Sequence, residues 1–169
     1  PMYTLTSNPE DTTSIFNQLV NKGYATTLYM DSAASRDKFS NLDKYNAVLS
    51  QSHMSNKSIY LGIEINKIGS SNLYQPNVDA VNANDLNYNN PKSNTLVILN
   101  GCESFQPKQD GTPSDLANAF SKATLAAGYE REVNIAWAND YMSGLITNMA
   151  EKEMTFVEAD TDIWLNYMP

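Results

Sequence analysis

The chain carries a single cysteine, Cys102, and a single histidine, His53. A cysteine thiolate attacks carbonyl carbon, and a histidine beside it takes up or returns the proton near neutral pH. The two side chains in contact are therefore the parts of a nucleophilic catalyst. Each sits just past an apolar run. Thr95-Leu96-Val97-Ile98-Leu99 leads into Asn100-Gly101-Cys102, and Tyr45 to Leu49 leads into Ser50-Gln51-Ser52-His53. The unbroken run before Cys102 reads as a strand buried on both faces, as in a parallel sheet. Ligands bind at the carboxyl edge of such sheets, and two adjacent parallel strands would bring both side chains to that edge. Burial statistics alone favour Cys102 as a small buried hydrophobe, and His53 alone reads as a satisfied strand-end residue. The two motifs in register favour chemistry. Two protein ligands are too few for a zinc site, and no metal or cofactor is expected.

The elements that must position this pair alternate between strand and helix signals. Met2 to Thr6 reads as a first strand. Ser7 or Asn8 caps a helix with Pro9 in its first turn, an apolar stripe of Ile15, Phe16, Leu19 and Val20, and a stop at Gly23. Ala25 to Met30 reads as a second strand. A short helix opened by Ser32 or Ser35 follows, with Phe39 and Leu42 facing in, and Tyr45 to Leu49 is the third strand. Ser58 to Ile68 alternates Ile59, Leu61, Ile63 and Ile65, the pattern of a half-exposed strand or hairpin arm. Gly69 to Asn94 turns to Asn, Asp, Ser, Tyr and Pro and reads as a long connection with one helical turn near Asn84-Asp85-Leu86. Beyond Cys102, Ser114 caps a helix carrying Leu116, Ala119, Phe120 and Ala123 and ended by Gly128. Val133 to Trp137 reads as a further buried strand, Ser143 to Met154 as a helix, and Thr155-x-x-Glu158 as the capping box of a last helix with Ile163 and Trp164. The alternation predicts an α/β fold, a three-layer α/β/α sandwich with a mainly parallel central sheet, in one domain spanning 1–169.

Hydrophobic residues at 41% and charged residues at 18% mark a globular chain rather than a disordered one. A net charge of -8 argues against nucleic acid and against anionic membranes as partners, since both want a basic face. One cysteine makes no internal disulfide, so the redox compartment is not revealed. A surface rich in Asn, Ser, Thr and Tyr leans towards a secreted or cell-surface setting, and the opening at Pro1 fits removal of a leader or pro-segment. The oligomeric state is not legible.

The order of the pieces adds a resemblance. Ala47-Val48-Leu49-Ser50-Gln51-Ser52-His53-Met54, followed by Val97-Ile98-Leu99-Asn100-Gly101-Cys102-Glu103-Ser104, resembles the signature of the caspase-like cysteine peptidases. That superfamily holds caspases, gingipains, legumain, separase and the CHAT domains. Leu116-Ala117-Asn118-Ala119-Phe120, Ala126-Ala127-Gly128 and Val133-Asn134-Ile135-Ala136-Trp137 are similar to its following helix and strand. Tyr29-Met30-Asp31-Ser32-Ala33-Ala34-Ser35-Arg36 is similar to its prokaryotic members. The resemblance implies a caspase-like fold and a cysteine endopeptidase acting on a peptide or protein substrate. It makes Cys102 the nucleophile, His53 the acid–base group, and the backbone N–H groups of residues 54 and 102 the oxyanion hole.

At position 54 the family has glycine and this chain has Met54. Methionine keeps the N–H but cannot take a positive φ without strain. Either the backbone there is ordinary, or the oxyanion hole is damaged and the domain is a catalytically impaired module for binding or structure. In the second case Met54→Gly would raise activity. Family members differ chiefly in the residue accepted before the scissile bond. Trp137 and Asp140, at the end of the expected strand after the catalytic one, and Glu103 beside Cys102 form the substrate-binding set and predict cleavage after Arg or Lys. Lys108 would then be a site of self-cleavage.

Overall fold

The computed structural model describes residues 2–4, 9–30, 35–61, 63–68, 71–76 and 80–167. In chain order the elements are β1 (Met2–Thr4), α1 (Pro9–Asn21), β2 (Thr27–Leu28), a 3₁₀ segment (Arg36–Lys44), β3 (Ala47–Gln51), β4 (Ser58–Tyr60), β5 (Ile63–Ile68), β6 (Ser71–Pro76), β7 (Ala80–Asn82), a 3₁₀ turn (Ala83–Asp85), β8 (Leu96–Asn100), α2 (Asp115–Ala119), β9 (Leu125–Gly128), α3 (Ile135–Glu151) and α4 (Phe156–Tyr167). The caps expected at Ser7, Asn8 and Ser32 and the end of the first strand at Leu5 and Thr6 lie outside the described residues.

The fold is α/β around a parallel sheet in the order β2-β1-β3-β8-β9. Every pairing in it is parallel. Strands β3 and β8 are its centre because their runs are apolar on both faces, and alternation sends neighbouring side chains to opposite sides. Val48, Val97 and Leu99 point into one core, with Phe39 and Leu42 of the 3₁₀ segment, Ile59 of β4, Val81 of β7, and Leu116 and Phe120 at α2. Leu49 and Ile98 point into the other, with Ile15 and Leu19 of α1, Met142, Leu145 and Ile146 of α3, and Ala159 and Ile163 of α4. Each fully buried Leu, Ile or Val contributes roughly 1.5–3 kcal/mol of transfer free energy. Slipping β8 by one residue would exchange the two sets, so the register Ala47 opposite Leu96 through Gln51 opposite Asn100 is strongly specified.

Three expectations need correcting. The strand expected at Val133–Trp137 is a loop followed by the start of α3. The Asn134 carboxamide accepts the N–H groups of Ala136 and Trp137, an N-cap that turns the apolar run behind it into helix. The sheet position goes instead to β9, in a stretch expected to be helix. Thr95 and Thr124 exchange backbone-to-hydroxyl hydrogen bonds at 3.1 Å and start the β8–β9 ladder. Small residues close it, since a Cβ on Gly128 would lie 2.6 Å from Ser104 Oγ. The connection from Gly69 to Asn94 is also more ordered than expected. It supplies β6, which forms an antiparallel hairpin with β5, and β7, which pairs with β4. The caps at Ser114 and at Thr155/Glu158 form as expected: Ser114 Oγ accepts Ala117 N–H, and Thr155 and Glu158 bond each other's backbone N–H groups. Among the described residues no helix is long and apolar enough to cross a membrane.

Candidate active site

Strands β3 and β8 leave the sheet in step. Gln51 stands opposite Asn100, and the next two residues of each strand are Ser52-His53 and Gly101-Cys102. Both side chains reach one cleft, walled further by Val133 and by Ala138 and Asn139 of α3. His53 is exposed and Cys102 half-buried. Gly101 is there for space. A Cβ on it would lie 2.4 Å from the Ser52 carbonyl oxygen and 2.5 Å from Met54 Cγ, closer than non-bonded atoms tolerate. The two strand ends that carry the pair are thus held against each other at backbone distance.

The Cys102 thiol meets Val133. Its Sγ accepts the Val133 N–H at 3.5 Å and lies 3.6 Å from the Val133 carbonyl, to which the protonated thiol donates. The loop that carries Val133 runs beside the cysteine turn. Glu103 N–H donates to Arg131 O, Phe105 N–H donates to Tyr129 O, and Ser104 Oγ accepts Tyr129 N–H while donating to Leu99 O. Glu103 takes a left-handed φ of 54°, which turns the chain sharply after Cys102.

Met54 answers the question raised by its identity. It is not among the described residues with positive φ, so its backbone is ordinary. It forms a bridge with Ile59 in which the flanking groups carry the bonds: Tyr60 N–H donates to His53 O and Ser55 N–H to Ser58 O. In this kind of antiparallel pair the N–H of the central residue points away from the partner strand. Among the described residues neither the Met54 nor the Cys102 amide donates a hydrogen bond, so both donors implied by the resemblance are unspent. The Met54 side chain is 5% exposed and packs in the core over Gly101. Met54→Gly would therefore open a cavity rather than relieve a strained turn.

Trp137 and Asp140 line a different hollow, along the side of α3 that faces α4, together with Tyr141, Asn148 and Ile163. Trp137 stacks on Tyr141 with ring centroids 5.5 Å apart and meets Tyr129 and Trp164 edge-on or tilted. Burial and the Asp160 carboxylate hold the Tyr129 hydroxyl well above its ordinary pKa, and burial with a hydrogen bond to Asp160 does the same for Tyr141. Glu103 is not part of the cleft lining. Lys108 is paired with Asp115 at 2.6 Å.

The floor of the cleft was missed from sequence. Gln51, Asn100 and Asn139 are each buried to about 95%. Thr12 Oγ1 of α1 donates to Gln51 Oε1 at 3.1 Å, and Gln51 Nε2 donates to Asn139 Oδ1. The signal for the first two was a polar residue closing each buried run. Asn139 was hidden by the strand expected at Val133–Trp137. Compared with known proteins, the chain matches no family model and no curated protein sequence.

Proposed function

We propose that the chain is a cysteine endopeptidase of the caspase-like type, its α/β architecture a three-layer sandwich of that kind, working through Cys102 and His53. The observation that carries this reading is that the only cysteine and only histidine, distant in sequence, share one cleft at the carboxyl edge of adjacent central parallel strands. In the reaction, Cys102 Sγ attacks the scissile carbonyl carbon, and the Met54 and Cys102 N–H groups receive the developing oxyanion. His53, carrying the proton taken from the Cys102 thiol, protonates the departing amine, leaving a thioester; it then deprotonates the water that hydrolyses the thioester and returns that proton to the released Cys102 sulfur. The unspent Cys102 amide at the cleft and the unstrained backbone at Met54 favour this over an impaired binding module; Met54 itself is 5% exposed and is not among the residues lining the cleft. The cation pocket expected from Trp137 and Asp140 loses its support, because neither lines the cleft.

The test is hydrolysis of a fluorogenic peptide library and an unfolded protein substrate. Cys102→Ala is expected to abolish turnover, and His53→Ala to lower it by roughly 10²–10⁴-fold. Turnover that survives Cys102→Ala would assign any activity elsewhere.

A further inference from the structure

Trp137 and Asp140 stand away from the catalytic cleft, in a hollow that the peptidase reading does not use. The hollow holds about 580 Å³, within the range of small-molecule sites, whereas the cleft holds about 60 Å³. Helical spacing builds it. Trp137, Tyr141, Gly144, Asn148 and Lys152 recur every three or four residues along one face of α3, and Ile163 of α4 closes the far side. From Trp137 to Asn148 that face runs roughly 16 Å at ~1.5 Å per residue, so the hollow suits an elongated ligand. One end is aromatic: the Trp137 and Tyr141 rings are stacked, and Trp164, 54% exposed, tilts against Trp137. The rest is polar and incompletely paired. Asn148 is 4% exposed and lines the hollow; its Nδ2 is spent on Asp162 at 2.9 Å, and among the described residues nothing donates to its Oδ1. The Asp140 carboxylate and the Ser143 hydroxyl likewise have no partner among the described residues. A polar side chain so deeply buried and only half satisfied is uncommon, and this one stands at the wall of open space.

These groups sort the ligands that could enter. An anion would meet Asp140 on a protein of net charge -8. A cation would find one free carboxylate, because Asp160 is bonded by Tyr141, Asp162 is bonded by Asn148 and paired with Lys152, and Lys152 itself stands at the other end. A purely apolar ligand would desolvate Asp140 and leave Asn148 Oδ1 without a donor. A neutral polyhydroxylated chain meets every group. Its hydroxyls donate to Asp140 and Asn148 Oδ1 and accept from Ser143 and Lys152, and its C–H edges lie on the aromatic faces at Trp137 and Trp164. We propose that the hollow between α3 and α4 is a binding site for a neutral oligosaccharide, separate from the Cys102 cleft and independent of the peptidase reading.

Both tryptophans of the chain, Trp137 and Trp164, lie at this hollow, so intrinsic fluorescence reads its occupancy directly. The full chain is titrated with neutral hexasaccharides of glucose, mannose, xylose and N-acetylglucosamine, and with hexalysine and a heparin hexasaccharide as charged comparisons, with binding heats measured alongside. At least one neutral sugar is expected to give a saturable change, and neither charged probe. Asp140→Ala, at an exposed position, is expected to weaken that binding by about tenfold or more, as the loss of a hydrogen bond to a charged group does, and Asn148→Ala to weaken it too. Asp140→Ala decides the matter if the Asn148 variant does not fold. Saturable binding of no neutral sugar, preference for hexalysine or heparin, or a sugar affinity unchanged by Asp140→Ala overturns the assignment. Peptide hydrolysis by Cys102 is assayed separately, so failure of either reading leaves the other standing.

Discussion

Gly101→Ala probes the contact that holds the two strand ends together. The new methyl group would lie 2.4 Å from Ser52 O, 2.5 Å from Met54 Cγ and 2.9 Å from Met54 Sδ. The methionine is flexible and can give way in part; the carbonyl is backbone, one residue past β3, and cannot move without shifting His53. Overpacking of this kind costs about 1–3 kcal/mol, and the backbone clash places this case at the upper end. Met54→Ala, which removes a core side chain that is 5% exposed, costs about 2–5 kcal/mol. Combined, the two changes relieve part of each other, since the truncated side chain makes room for the new methyl. The double variant should be more stable than the sum of the single losses by about 0.5–2 kcal/mol. Urea unfolding followed by circular dichroism reads this directly. With a slope of about 2 kcal/mol/M, a cost of about 3 kcal/mol lowers the Gly101→Ala midpoint by roughly 1.5 M. Additive losses, or a midpoint unmoved by Gly101→Ala, would refute the close approach of the β3 and β8 ends on which the shared cleft depends.

Two other changes test the surroundings of the site. Asn134→Ala removes the α3 cap and should cost about 1 kcal/mol, and because Val133 precedes the cap it should also change the alkylation rate of Cys102; an unchanged melting temperature would show that the cap is idle. Tyr129 and Tyr141 have folded-state pKa values raised above the unfolded value, so the stability they contribute is fully present below about pH 10 and is lost as pH rises beyond it. Each should account for up to about 1.4 kcal/mol per pH unit in that window, reduced by solvent screening because both are only half-buried. Tyr129→Phe should flatten the fall in melting temperature between about pH 9 and 12, and a fall of unchanged steepness would contradict this cause.

What the sequence determined by itself was the part governed by local pattern. Apolar runs made β3 and β8 central strands, and the capping signals at Ser114 and Thr155/Glu158 formed as written because a cap needs only residues three apart. The placement of His53 and Cys102 at strand ends followed from the same runs. The tertiary structure decided which segment filled the last sheet position. Leu125–Gly128 is a weak strand by propensity, but it pairs through Thr95 and Thr124 and fits beside Ser104 because Gly128 has no side chain. Val133 to Trp137, a stronger strand by propensity, was overruled by the Asn134 cap and became the entrance to α3. That choice moved Trp137 and Asp140 to another hollow and brought Asn139 to the floor of the cleft. The unspent Met54 amide, the crowding at Gly101 and the donorless oxygen of Asn100 are likewise properties of packed neighbours distant in sequence. Periodicity reports which face a residue presents; it does not report what is packed against that face.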